Sequence, residues 1–141
     1  MSTTPSENKA AFRRMYEEFF NQRNLAIADE LVASDFINHD APPGQNRGPE
    51  SMRQLANWLR SGFPDLHFTV EELVADGDTV VGRVTMSGTH QGRFQGIEPT
   101  GRAVQQAHAH FVRFGGGKAI EHRGVRDDLG LMQQLGAIPA R

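Results

Sequence analysis

The sequence has no cysteine, one tryptophan and one tyrosine in 141 residues. Without thiols there is no disulfide, no thiolate nucleophile and no Cys-bound zinc or iron–sulfur centre. Net charge is small as well: 15 Lys and Arg against 17 Asp and Glu leave −2, so a nucleic-acid partner held through its backbone is not expected. No run approaches the roughly 18 apolar residues of a membrane span. The opening MSTTPSENKA has neither a basic start nor an apolar stretch, so no secretory signal is expected. What remains is a cytoplasmic chain forming one domain over residues 1–141, with residues 1–6 flexible, and its 38% hydrophobic residues suffice for a core.

Glycine is sparse in the first half and dense in the second. Gly44, Gly48 and Gly62 precede Gly77, while most aromatics lie before Asp76. Helices first and turn-rich strands afterwards make an α+β pattern. Phe12, Tyr16, Phe19 and Phe20 share one helical face over about 7–20, with Ser6 as N-cap. A second helix is expected over 25–33, and Phe36-Ile37 then leads into a loop over 41–48. Pro49 opens a third helix, along which Met52, Leu55, Leu59 and Phe63 form the apolar stripe.

From His67 the period changes to two. Strands are expected over 67–75, 79–87, 102–114 and 118–127, with turns at Asp76-Gly77 and Gly115–Gly117. A long glycine-punctuated connection spans 88–101, and a short helix over 128–135 closes an otherwise antiparallel meander.

Several polar side chains are candidates for chemistry. His108 and His110 lie two apart on one strand and share a face. They can polarise a carbonyl or pass a proton, bind a metal, or face solvent or a partner. Turn register decides which of Glu121, His122 and Arg123 points inward, because a one-residue slip flips the set. Asn38 and His39 begin the loop after the second helix and are candidates for binding, His39 either as a pocket-rim hydrogen-bond donor or as a tie between the loop and the strands. Phe63 and Trp58 either line a cavity or belong to the core.

The segment GTHQGRFQGIEPTGR at 88–102, with VRFGGGK at 112–118 and DDLGLMQQLG at 127–136, resembles the SnoaL-like polyketide (ester) cyclases of the nuclear transport factor 2-like superfamily. FPDLHFTVEELVADGDTVVGRVTMSG at 63–88 and INHDAP at 37–42 extend the resemblance over residues 12–138. It implies a cone-shaped barrel of a strongly curved, mostly antiparallel sheet with the N-terminal helices packed on it. It also implies a homodimer formed through the outer sheet face, and chemistry without cofactor or metal.

The family's reaction is intramolecular aldol closure of an aromatic polyketide ester, with an aspartate at the end of the last strand as acid/base. By position that residue is Asp127, helped by His108, His110 or His39, with a capping role as its alternative, while Asp128 is placed as the cap of the closing helix. Arg123 stands where the family often carries tryptophan, which implies a cationic pocket and a substrate bearing an anionic group. The same cone hosts dehydratases, hydrolases and non-catalytic small-molecule binding or dimerisation domains, so fold and reaction are separate questions.

Overall fold

The structure is a computed structural model that describes residues 3–139; Met1 and Ser2 of the expected flexible start lie outside the described residues. The first helix, α1, spans Pro5–Arg14. It starts two residues earlier than the sequence pattern suggests because Thr4, not Ser6, caps it. Thr4 Oγ1 accepts from the Glu7 amide at 3.1 Å and the Glu7 carboxylate accepts from the Thr4 amide at 3.0 Å. With proline at the first turn, that reciprocal pair fixes the start.

Helix α1 widens into a π-helical turn over Met15–Asn21. Phe12, Tyr16, Phe19 and Phe20 are all buried, as their spacing predicts. The expected second helix is shorter. A 3₁₀ turn over Leu25–Ile27 leads into α2, Ala28–Leu31, and the chain then becomes a strand, β1, over Val32–Asn38. Sequence periodicity misses β1 because a register shift between Val32 and Ile37 breaks its alternation. Helix α3 follows over Gly48–Gly62.

The four remaining strands are β2 (His67–Asp76), β3 (Thr79–Thr89), β4 (Ala103–Gly115) and β5 (Lys118–Arg126). A last helix, α4, runs Asp128–Gln134. Strand order is β1-β5-β4-β3-β2. Four strands form the expected antiparallel meander, and β1 adds parallel to β5 at one edge. The sheet is mixed and stays open, with β1 and β2 as its edges.

Alternation along the strands sets an inner and an outer face. Val80, Val84 and Met86 of β3 point inward and are buried, so Arg83, Thr85 and Ser87 point outward. Helix α1 lies close on this inner face: a Cβ added at Gly82 would overlap the Phe12 ring. No described helix is long and apolar enough to cross a membrane.

Candidate active site

Between the aromatic face of the π-helical turn and the inner face of β4 and β5 lies a cavity of ≈ 220 Å³. Tyr16, Phe20 and Phe68 form an apolar wall, and Trp58 and Phe94 pack tilted with ring centroids 4.8 Å apart where it approaches the surface. Along the sheet side runs an uninterrupted line of polar groups.

That line is built by strand parity. On β4, Gln106, His108 and His110 are successive inward residues, and all three are buried. Across the ladder, His122 of β5 pairs with Val112, and the next inward positions are Gly124 and Arg126. The rings are joined edge to edge. Gln106 Oε1 lies 2.8 Å from His108 Nε2, and His108 Nδ1 lies 2.9 Å from His110 Nε2. His110 Nδ1 lies 2.8 Å from His122 Nε2, and His122 Nδ1 lies 2.9 Å from Asn38 Oδ1.

Both ends of this wire meet carboxylates. At the Gln106 end its Nε2 donates to Asp128 Oδ1 at 3.0 Å and to the Asp127 carbonyl at 3.2 Å. At the Asn38 end Oδ1 also accepts from the Asp40 amide at 3.0 Å. The Asp40 carboxylate lies 3.8 Å from His122 Nδ1 and accepts from Arg126 Nη1 at 2.8 Å. Among the described residues, no three acidic or imidazole side chains are grouped so as to hold a metal ion.

Burial dominates the electrostatics. It pushes His108 down to about 3 and His122 to about 4, and it holds His110 well below its ordinary value. The charge of Arg126 pushes the three rings the same way, while the Asp40 carboxylate pulls His108 and His122 partly back. Burial also keeps the Tyr16 hydroxyl protonated beside His110, its ring centroid 5.3 Å away.

Lowered histidine values have a signed consequence. The folded chain refuses protons that the unfolded chain accepts below 6.5, the ordinary value. For each ring that stays neutral, the stabilisation is therefore complete above that pH and is lost as pH falls toward 4. Urea midpoints at about pH 7.5 and about pH 5 check this; equal midpoints would contradict it.

The expected site residues separate into two groups. His108, His110 and Asn38 come together in the wire, and Trp58 lines the cavity mouth, its residue 47% exposed. The others lie elsewhere. His39 turns outward, with Nε2 2.8 Å from the Glu121 carboxylate. Phe63 is fully buried against His90 and Phe94 and is core. Arg123 lies on the outer face, its side chain 62% exposed, because β5 turns the even-numbered residues inward. The cation at the cavity is Arg126.

The two neighbouring aspartates also trade the places expected for them. Asp127 caps α4, its Oδ1 accepting from the Gly130 amide at 2.9 Å, and does not line the cavity. Asp128 lines it and bonds Gln106. Strand β5 ends at Arg126, so alternation no longer decides where these two side chains point. Sequence reasoning missed Gln106, Asp40, Arg126 and Tyr16. Gln106 was available from parity alone, two residues before His108.

Residues 10–135 match the SnoaL-like polyketide cyclase family. The chain belongs to that family. It is 30% identical over 119 residues to the nogalonic acid methyl ester cyclase of Streptomyces nogalater, covering 83% of this chain and 89% of that one. Among solved structures, TsrD from Streptomyces laurentii superposes with a TM-score of 0.87 at 26% identity, over 97% of this chain and all of that one. IdmH from Streptomyces antibioticus gives 0.78 at 32% identity, over 95% and 99%. The open five-stranded sheet with helices against its inner face is thus the cone of the SnoaL-like cyclases, and the cavity with its histidine wire is this member's version of the cone's interior.

Proposed function

We propose that this SnoaL-like protein closes a ring in a small carbonyl or ester substrate by cofactor-independent acid/base catalysis of an intramolecular aldol reaction. The observation that carries the reading is the line of buried imidazoles along one wall of a cavity whose other walls are mainly aromatic and aliphatic, with a carboxylate at each end. An aldol closure removes a proton from a carbon flanked by carbonyls, lets the enolate attack a second carbonyl, and protonates the resulting alkoxide. Imidazoles beside a carboxylate serve both proton steps. The aromatic wall suits a flat, carbonyl-rich substrate, and the charge of Arg126 is offset by Asp40.

The proton-handling groups proposed are His108, His110 and the carboxylate at the cavity, Asp128. Asp127 holds the start of α4 and so sets the position of its neighbour. The test is incubation with the methyl ester of nogalonic acid and related carbonyl esters. The expected product has unchanged mass and an altered chromatographic position. Asp128→Asn should lower turnover strongly and Asp127→Asn should leave it near wild type; the reverse result would return the acid/base role to Asp127. A product lighter by one water would mark a dehydratase, and binding without conversion a binding domain.

We also propose that the protein pairs with a second copy through the outer sheet face. That face carries Phe111 and Val125, 42% and 66% exposed, flanked by the small residues Ala107 and Ala109. Sedimentation should show a dimer that Phe111→Glu converts to monomer; a wild-type monomer at tens of micromolar would overturn the pairing.

A further inference from the structure

The histidine wire poses a counting problem. It contains four contacts in series: Asn38 to His122, His122 to His110, His110 to His108, and His108 to Gln106. Each needs one hydrogen between its two heavy atoms. Three neutral imidazoles bring three.

The shortage disappears only if an end group turns round and donates, and backbone groups prevent both turns. Asn38 presents its oxygen to His122 because the same oxygen accepts the Asp40 amide. Flipping that side chain would set its NH₂ against an N–H. Gln106 presents its oxygen to His108 because its nitrogen donates to the Asp127 carbonyl as well as to Asp128. Flipping it would set two oxygens together, whatever the protonation of Asp128. Both ends are acceptors, so the wire is one hydrogen short when all three rings are neutral.

Two resolutions remain. In one, a pair of lone pairs faces across a gap of under about 3 Å inside the cavity, leaving two buried acceptors unsatisfied, at a cost of about 1–3 kcal/mol each. In the other, a fourth proton completes the wire as a single imidazolium shared by three rings. Burial taken ring by ring opposes charge, and the mutual repulsion of the rings forbids a second cation. One cation, however, meets carboxylates at both ends. The charged and titratable groups around the wire are Asp40 and His39 after β1, Arg126 on β5, Asp128 on α4 and the protonated Tyr16 on the π-helical turn. Asp40 and Asp128 are anionic and Arg126 is cationic.

We infer that the wire from Gln106 to Asn38 stores one proton beyond those of neutral rings, held because both end groups are fixed as acceptors. Gln106 is then a positioning residue: its orientation sets the proton count. The stored proton gives a chemical cycle that balances. The Asp128 carboxylate takes the proton from carbon, the complete wire gives one proton to the alkoxide formed afterwards, and the proton on Asp128 then passes to the wire and restores the count. The count itself does not depend on the reaction assigned above, so it can fail or stand independently of it.

The test needs no substrate. In the full chain with ¹⁵N-labelled histidine, the three rings are recognised near pH 7 by couplings across their N–H···N hydrogen bonds. Summed over their six ring nitrogens, the expected count is four protonated and two bare. Gln106→Met removes one acceptor, and three and three are then expected. Gln106→Glu keeps an acceptor and should keep four and two. Three and three in the wild type, whether from a broken contact or from a proton placed on Asp128, would overturn the inference, as would four and two persisting in Gln106→Met. If Gln106→Met does not fold, the wild-type count decides alone.

Discussion

Replacing His110 by phenylalanine is expected to lower the proposed ring-closing turnover by about 10²–10⁴-fold, the span that a positioned acid or base contributes. His110 is the middle ring of the wire, bonded on both sides, so no other single change separates the Asp128 end from the Asp40 end so completely. Phenylalanine keeps the aromatic contact with Tyr16 and fills most of the same space. It leaves His108 Nδ1 and His122 Nε2 without their partner, at a cost of about 1–3 kcal/mol for each group that water does not reach. The folded chain should therefore survive with a lowered urea midpoint while turnover collapses. Turnover within a fewfold of wild type would remove the wire from the chemistry.

Phe12→Ala is the largest stability change expected, about 3–5 kcal/mol. The ring is fully buried, lies 4.9 Å from the Tyr16 ring and packs over Gly82 of β3. Deleting it opens a cavity between α1 and the sheet beside Gly82, which has no side chain to fill it. For a domain whose whole margin is roughly 5–15 kcal/mol, that loss is severe. The melting temperature should fall by roughly 10–20 °C. A urea titration with unchanged slope and a much lower midpoint would confirm a simple cavity cost. A loss under about 1 kcal/mol would mean that Tyr16 and Leu73 close over the gap. The same variant reports on the site, because Phe12 supports Tyr16 and Tyr16 faces His110.

The sequence carried the sheet well where alternation ran undisturbed. The hairpin at Asp76-Gly77 follows from its turn residues, and the shared inward face of His108 and His110 follows from period two, since the β3–β4 ladder runs without a register shift. It carried β1 poorly because a bulge sits inside seven residues. The Gly115–Gly117 turn was ambiguous for a similar reason. The ladder shifts register between Arg113 and Phe114, and that shift decides that His122 and Arg126, rather than Arg123, face the cavity. The adjacent aspartates were beyond any strand rule, lying where strand geometry has ended and capping takes over. Family resemblance supplied the cone and pointed to the end of the last strand, one residue away from the carboxylate that lines the cavity.

The parallel pairing of β1 with β5 has a kinetic side. Asn38 and His122, which terminate and extend the wire, are 84 positions apart in the chain. Closing that loop costs entropy that no local contact returns, so this pairing belongs among the late events of folding. Helix, hairpin and meander can all be in place while the last imidazole still lacks its amide. A chain stalled there would have native-like strands but no finished proton path, so reactivity becomes a readout of the completed fold rather than of the cavity alone.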